Sequence, residues 1–268
     1  MSNPQPKILY EDENILAVNK PAGLLTHSDG RSTVLTAGKS KDLSTGSTSS
    51  PQASSGHGKT LSDWFVKKFP QAKNIGENII LTDGEEIDRS GIVHRLDKDT
   101  SGVILLAKTQ KGFDCLKKQF QNHEVKKIYH TIVVGRPRDS RGVIDAPIGK
   151  SQTDFRARSA NRQAVGHLRE AKTNYMVKGS ATVKGTLYSL VQAMPQTGRT
   201  HQIRVHMKTI GHPVVADPMY GFSKNTLGLT RTALHSFSVE FKNCDSDPIR
   251  VEAPYPEDFE KAVEKIIK

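Results

Sequence analysis

The first part of the chain alternates short apolar runs with polar turns, which predicts strands. Apolar residues at 8–10 and 15–18 flank the acidic turn 11–14, and Pro21 and Gly23 end the second run. This pattern predicts a hairpin at the edge of a sheet. Further strands are predicted by apolar runs at 92–93, 103–107, 126–135, 171–177 and 186–193.

Four other segments repeat their apolar residues at helical spacing. The first three predicted helices have an N-cap residue at their start, namely Thr60, Thr109 and Thr200. The third is expected to end at Gly211, and the fourth begins near Pro256. The stripes predicted to face the core are Leu61, Trp64 and Phe65; Phe113, Leu116 and Phe120; Ile203, Met207 and Ile210; and Phe259, Val263, Ile266 and Ile267. Short strands with few helices and no strict βα alternation predict an α+β fold, with a mixed, mostly antiparallel sheet and flanking helices.

The pattern disappears between the first hairpin and the first helix. Residues 36–59 are mostly Ser, Gly, Thr, Lys and Gln, with almost no apolar side chain. Such a segment buries too little surface to offset the entropy of ordering itself. We therefore expect a flexible insertion inside a single domain that comprises residues 1–268.

Charge and cysteine content narrow the class of protein. Lysine and arginine total 39 against 28 acidic residues, a net charge of +11, and the isoelectric point is about 9.6. This excess favours a polyanionic partner such as nucleic acid, although a solvated basic surface would give the same count. The mean hydropathy is −0.52, no apolar run approaches the length of about 18 residues that a membrane span needs, and two cysteines cannot form a disulfide framework. We expect a soluble, cytoplasmic protein with reduced thiols.

The densest polar cluster, residues 94–102, lies between two predicted strands, where a plain turn would suffice. A carboxylate at a strand end with a cationic partner stays ionised and fixed in direction, so Asp97 is a candidate nucleophile or general base. The alternative is an aspartate that accepts hydrogen bonds from loop amides or pairs with Arg95 or Lys98. The local sequence leaves both interpretations open.

A second polar cluster occupies residues 197–206. At about 100° per residue, His201, Arg204 and Lys208 share one side of the predicted helix, and Arg199 stands just before it. This basic stripe would clamp phosphates or hold Asp97 in an ion pair, or it is a solvated helix face.

Metal and nucleotide chemistry find no support in the spacing. The histidines of the two clusters, His94, His201, His206 and His212, match no zinc motif, and the chain has neither a Walker loop nor a Gly-x-Gly-x-x-Gly sequence. Asp97 and Asp99 are only two positions apart, which is a weak signal for a glycosidase pair. We expect no metal and no cofactor.

These residues also resemble a known family. The sequence His94-Arg95-Leu96-Asp97, followed by TSGVILLAK at 100–108, resembles the catalytic motif of the RluA-type pseudouridine synthases. The segments NKPAGL at 19–24, KIY at 127–129, TGRTHQIRVH at 197–206, GHP at 211–213 and DPMYG at 217–221 fit the same family in order. The resemblance runs from about residue 8 to 259 and is interrupted by 36–59. It departs from the family in this insertion and in the absence of room for the N-terminal S4-type domain that many members carry, which leaves the RNA target open.

The resemblance implies isomerisation of a uridine in RNA to pseudouridine by a monomeric enzyme, with ribosomal RNA favoured over transfer RNA. Asp97 would be the essential carboxylate, which either adds covalently or removes the C2′ proton. Arg204 would pair with it, and Tyr129 would stack on the flipped uracil and take the C5 proton. Arg95 would fill the space that the extruded base leaves, and Leu234 would pack on the uracil. Further RNA contacts are expected from His94, Arg199, His201 and Lys208.

Two competitors are weighed against this enzyme. A non-catalytic RNA-binding or assembly protein would use the same basic cleft, but loss of activity would most simply appear as loss of the aspartate. A basic glycosidase or nuclease would need a second acid or a metal cluster, and the sequence offers neither.

Overall fold

A computed structural model describes residues 5–27, 60–77, 79–80, 86–87, 89–154, 156–160, 164–222 and 224–267. The insertion expected at 36–59 lies outside the described residues. None of the helices in this described part is long and apolar enough to cross a bilayer.

The described residues contain four α-helices and fourteen strands. The helices are α1 (Leu61–Lys68), α2 (Gln110–Gln121), α3 (Gln202–Thr209) and α4 (Glu257–Glu264), and a short 3₁₀ turn covers Pro70–Ala72. The strands are β1 (Lys7–Glu11), β2 (Ile15–Lys20), β3 (Ile79–Ile80), β4 (Glu86–Ile87), β5 (Ser101–Ala107), β6 (Lys126–Val134), β7 (Arg141–Asp145), β8 (Ile148–Ser151), β9 (Arg158–Ser159), β10 (Ala164–Arg169), β11 (Lys172–Val183), β12 (Thr186–Pro195), β13 (Leu234–Lys242) and β14 (Pro248–Glu252).

Nine of these strands form one sheet. Its order is β1-β2-β5-β13-β6-β12-β11-β7, and β14 pairs with the distal half of β13. Within the described ladders of this sheet, only β5 and β13 run parallel, and the others are antiparallel. The predicted α+β class with a mixed, mostly antiparallel sheet is confirmed. A smaller sheet, β10-β8-β9, lies beside it.

The first two helices begin where the sequence predicts. Thr60 caps α1 in a capping box, in which its hydroxyl accepts from the Asp63 amide and the Asp63 carboxylate accepts from the Thr60 amide. Thr109 caps α2 by accepting from the amide of Gly112. The stripes of both helices then reach the core, with Leu61, Phe65 and Leu116 fully buried.

The start of α3 differs from the prediction. Its N-cap is His201, in the left-handed conformation with φ 58°, and not Thr200. The end agrees, because Gly211 has φ +83° and the amides of Gly211 and His212 bond back to Lys208 and Met207 in a Schellman arrangement.

Two smaller predictions are wrong. Ile267 follows α4 and is 49% exposed, so it does not face the core, whereas Ile266 is buried. The run at 92–93 forms no full strand, and Ile92 makes a single bridge to Leu106.

One glycine is required where the parallel pair meets. Gly102 has φ +110°, and a Cβ atom there would lie 2.1 Å from the carbonyl oxygen of Ser236. The missing side chain therefore lets β5 and β13 approach closely. This junction stands directly behind the polar loop that precedes β5.

Candidate active site

The polar cluster at 94–100 forms a compact loop that leads into β5. The amide of Thr100 donates to the carbonyl of Asp97 at 3.1 Å, which closes a turn around the carboxylate. Thr26 holds the preceding residue, because its hydroxyl donates to the Leu96 carbonyl at 2.9 Å and accepts from the Leu96 amide. The Asp97 side chain is only 22% exposed. It is thus fixed at the base of a cleft and still open to a ligand.

Lys20 is a part of this site that the sequence reasoning missed. Its side chain is fully buried, and Nζ donates to three backbone carbonyls, those of Pro21 (3.0 Å), Leu24 (2.8 Å) and Lys98 (3.1 Å). These acceptors satisfy all three donors of the ammonium group. Burial lowers the pKa of Lys20 to about 7, although the charge of Asp97 acts in the opposite direction. The lysine ties the end of β2 to the loop, and its place in the segment NKPAGL at 19–24 was the available signal.

A buried arginine holds the carboxylate of Asp97 in place. Arg204 Nη1 donates to Asp97 Oδ2 at 2.9 Å, while its Nε and Nη2 donate to the two oxygens of Asp217 at 2.6 and 2.9 Å. Burial alone would lower the pKa of Arg204, but the hydrogen bonds to Asp217 and the charge of Asp97 raise it. Arg204 is therefore a permanent cation that reaches Asp97 with a fixed geometry.

Asp217 is the second residue that the sequence reasoning missed. Its side chain has no exposed surface, and its Oδ1 also accepts from the amides of Met219 and Tyr220 at 3.0 and 3.1 Å. Burial would raise the pKa of Asp217, but Arg204 and these two amides lower it. The carboxylate stays ionised and orients Arg204 from the side opposite to Asp97.

His201 lies at the rim beside this network. Its Nε2 is 3.9 Å from Asp97 Oδ1, and its Nδ1 is 2.8 Å from the hydroxyl of Tyr220. That hydroxyl also accepts from the Arg158 amide. Burial lowers the pKa of His201, so the ring is neutral near pH 7. The separation of 3.9 Å between His201 Nε2 and Asp97 Oδ1 is too long for a hydrogen bond, so His201 is a neighbour of the carboxylate and does not hold it.

The cleft above Asp97 has a volume of about 520 Å³. Tyr129 on β6 and Leu234, the first residue of β13, supply its apolar part, while Arg95 and Arg199 stand at its exposed side. Burial raises the pKa of Tyr129 to about 12, and the charge of Asp97 acts in the same direction. The cleft therefore combines an aromatic phenol, an apolar wall, a held carboxylate and two guanidinium groups. It suits a planar polar ring attached to an anionic chain.

Two of the predicted site residues stand differently from expectation. His94 lines the cleft, but its Nε2 accepts from the Leu105 amide at 2.9 Å and its ring stacks on Phe120. Burial lowers its pKa to about 3, so His94 supports β5 as a neutral ring. Lys208 lies on the same side of α3 as Arg204, since both cations stand against the ring of Tyr220, but Lys208 is exposed and lines a neighbouring cleft and not the one that holds Asp97. The predicted basic stripe therefore extends across two clefts.

The cleft also includes residues that no sequence argument assigned. Gln121 is the last residue of α2, His123 follows that helix, and Lys127 is the second residue of β6. Burial lowers the pKa of Lys127 to about 8. These side chains extend the polar wall away from Asp97 and Tyr129.

The sequence profile of the RNA pseudouridylate synthase family matches residues 14–209. The chain belongs to this family. The matched segment contains Asp97, Tyr129 and Arg204, the three residues that enclose the cleft.

Individual members of the RNA pseudouridylate synthase family resemble the whole chain. A ribosomal large subunit pseudouridine synthase D of Nitrosomonas europaea is 34% identical over 97% of this chain and 65% of its own length. The RNA pseudouridine synthase YlyB of Bacillus subtilis is 32% identical over 97% of this chain and 73% of its own. The structure of human RNA pseudouridylate synthase domain containing 1 superposes with a TM-score of 0.68 at 25% identity, over 96% of this chain and 87% of the human one.

Proposed function

We propose that this protein is an RNA pseudouridine synthase in which Asp97 is the essential carboxylate. The observation that carries the proposal is the ion pair of Asp97 with Arg204, which a second carboxylate, Asp217, holds in place at the base of the cleft. In a family member, a carboxylate so fixed is placed to act on a nucleotide that enters beside Tyr129.

The reaction is an isomerisation in which every non-hydrogen atom of the uridine is retained. The bond from N1 to C1′ breaks, the uracil turns, and C5 bonds to C1′, while the proton on C5 leaves and N1 gains one. Asp97 would either add covalently or remove the C2′ proton, and both routes need an ionised carboxylate. Tyr129 would stack on the uracil and relay the C5 proton, which it accepts as its own phenolic proton passes to solvent, and Leu234 would support the ring. No oxidant or reductant is consumed, so the reaction requires no cofactor.

Access to the uridine requires that it leave the RNA helix. Arg95 is exposed at the mouth of the cleft, where its guanidinium would occupy the gap that the flipped base leaves. Arg199, whose Nε donates to the Glu170 carbonyl at 2.9 Å, and His201 would contact the neighbouring backbone. The RNA backbone would thus be bound at the rim of the cleft, while the reaction would take place at its base beside Asp97.

Large-subunit ribosomal RNA is the proposed target, with transfer RNA as the alternative. The support comes from the name of the Nitrosomonas europaea relative, which covers nearly all of this chain. A cytoplasmic monomer is part of the same proposal, and the free thiols of Cys115 and Cys244 are consistent with a reducing compartment.

Asp97→Asn tests the reaction. Because a neutral amide can neither attack nor remove a proton, we expect no tritium release from RNA labelled with [5-³H]uridine, together with a wild-type melting temperature. Asp99→Asn is the matched control, since it removes a carboxylate two positions away in the same loop, and it should retain activity. Turnover by Asp97→Asn near the wild-type rate would contradict the proposal.

Primer extension after carbodiimide treatment tests the target. Ribosomal and transfer RNA from cells with and without the gene would be compared for pseudouridine stops. We expect stops in large-subunit ribosomal RNA that disappear with the gene and return with the wild-type gene but not with Asp97→Asn. Stops that change only in transfer RNA would reassign the target.

A further inference from the structure

A second cleft, of about 470 Å³, lies next to the first along α3. The helix forms a wall of both clefts, since Gln202, Ile203 and Arg204 line the first and Val205, Lys208 and Thr209 line the second. Its opposite wall comes from residues 151, 153–154 and 156–160, which include β9, and its floor from residues 218–220. None of its residues takes part in the chemistry proposed above.

The charge of the second cleft is positive. Lys208 and Arg158 line it, and within the described part of the chain neither forms a salt bridge with a carboxylate. Arg156 adds a third cation, which Asp154 pairs at 3.0 Å. Hydroxyl groups of Ser151, Thr153 and Thr209 supply neutral polar surface. Cations with hydroxyl groups around them are the side chains that bind phosphodiesters.

Tyr220 joins the two clefts. Its ring lies beneath both cations of α3, with Arg204 Cζ 5.0 Å and Lys208 Nζ 5.8 Å from the ring centroid. Its hydroxyl bonds to the Arg158 amide on the second side and to His201 on the first. His201 in turn lies 3.9 Å from Asp97. A single imidazole ring therefore separates the carboxylate from the wall of the second cleft.

We propose that the second cleft binds the phosphodiester backbone of nucleotides next to the target uridine, so that the RNA strand crosses over His201 from one cleft to the other. Lys208 and Arg158 each bind a phosphate, and Tyr220 keeps the two contact surfaces at a fixed separation. This inference rests on the proposed function, because it takes RNA as the ligand. It adds a binding surface for which the catalytic cleft does not account.

The test uses the full-length protein and an unmodified large-subunit ribosomal RNA transcript, with the dissociation constant measured by filter binding as salt rises from about 50 to 200 mM. Lys208→Ala and Arg158→Ala should each raise the dissociation constant about fivefold and reduce the salt slope by about 1, and the double variant should lose about twice as much slope. Lys261→Ala is the matched control, because Lys261 is likewise an exposed lysine in the last turn of a helix. It should match the wild type in both quantities.

The outcomes separate this inference from the proposed function. The second cleft would not be a phosphate site if both single variants and the double variant had the dissociation constant and salt slope of the wild type. The same conclusion would follow if their loss of affinity were no larger than that of Lys261→Ala. The proposed function is tested independently by tritium release from the same transcript with wild-type protein, which reports the isomerisation whatever the variants show.

Discussion

Arg204 is the residue on which the geometry of the candidate site depends most. Its guanidinium bonds to Asp97 with one nitrogen and to Asp217 with two, so the forked contact sets its plane and the single contact sets the direction of Asp97. The side chain of Asp217 has no exposed surface and that of Arg204 only 9%. A buried charge that loses its partner is destabilising, so Arg204 and Asp217 each keep the other ionised.

Arg204→Ala and Arg204→Lys test this dependence. A lysine keeps the charge but cannot make the forked contact, so we expect single-turnover rates to fall by about a hundredfold in Arg204→Ala and by about tenfold in Arg204→Lys. The dissociation constant for RNA should change much less in both, since Arg204 faces the carboxylates and not solvent. Rates come from tritium release at saturating enzyme and affinities from filter binding.

The control for the Arg204 variants is Arg250→Ala. Arg250 is half exposed and pairs with Glu240 and Glu252 at the sheet surface, so its loss should leave both quantities near wild type. If Arg204→Ala weakened RNA binding and slowed the reaction by the same factor, Arg204 would be an RNA contact and not the holder of Asp97.

At the scale of the elements, the sequence predicts features that depend on neighbouring residues, such as helix caps. It does not predict features that depend on contacts between residues far apart in the chain. The caps of α1 and α2 follow from side chains within three residues, and both were correct. The prediction that Thr200 is the N-cap of α3 was wrong, because the side chain of Gln202 fixes the start of this helix through contacts outside the helix. Its Oε1 accepts from Thr197 Oγ1 and the Arg199 amide, and its Nε2 donates to the Lys172 carbonyl of β11. That contact joins residues that lie far apart in the chain.

The central strand β13 is the largest element that the apolar pattern does not reveal. Three of its first five residues, His235, Ser236 and Ser238, are polar and buried. The neighbouring chain satisfies two of them, with His235 bonded to Ser101 and the Ala253 carbonyl and Ser236 donating to the Val103 carbonyl. The hydroxyl of Ser238 has no hydrogen-bond partner among the described residues. Partners that distant cannot be deduced from periodicity, and Asp217 and Lys20 escaped notice for the same reason.

Gly102→Ala tests the junction between β5 and β13. The new methyl group would meet the Ser236 carbonyl at 2.1 Å in a backbone conformation that disfavours alanine, so we expect a loss of about 3 kcal/mol in the free energy of unfolding. Gly185→Ala is the control, since Gly185 also has a positive φ (+80°) but open space around it. It should lose about 1 kcal/mol. Equal losses in urea titrations would show that the close approach contributes nothing.

At the scale of the whole molecule, several buried histidines make stability depend on pH. Burial lowers the pKa of His94 to about 3 and those of His130 and His235 to about 4. Below pH 6.5, which is about the ordinary pKa of histidine, these histidines bind protons in the unfolded chain but stay neutral in the folded chain. The stabilisation that these neutral histidines contribute to the folded state is therefore fully present above about pH 6.5, and it is lost as the pH falls toward about 4.

His235→Gln should reduce this dependence, because it removes one of the groups that titrate only after unfolding. We expect the wild-type free energy of unfolding, from urea titrations, to be clearly lower at about pH 5 than at about pH 7.5, and the difference to be smaller in His235→Gln. His167→Gln, at an exposed position of β10, should show the wild-type difference. A wild-type free energy that is the same at both pH values would contradict this account.

The place of β13 in the sheet has a consequence for how the protein is made. The ribosome completes β5 and β6 long before residues 234–242 emerge, yet β13 lies between them. Until then, both strands present unpaired edges to the crowded interior of the cell. The carboxylate of Asp97 is synthesised early, but the wall that Leu234 supplies arrives only with this late strand. A nascent chain therefore carries Asp97 in an open, incomplete pocket until β13 has emerged and paired with β5 and β6.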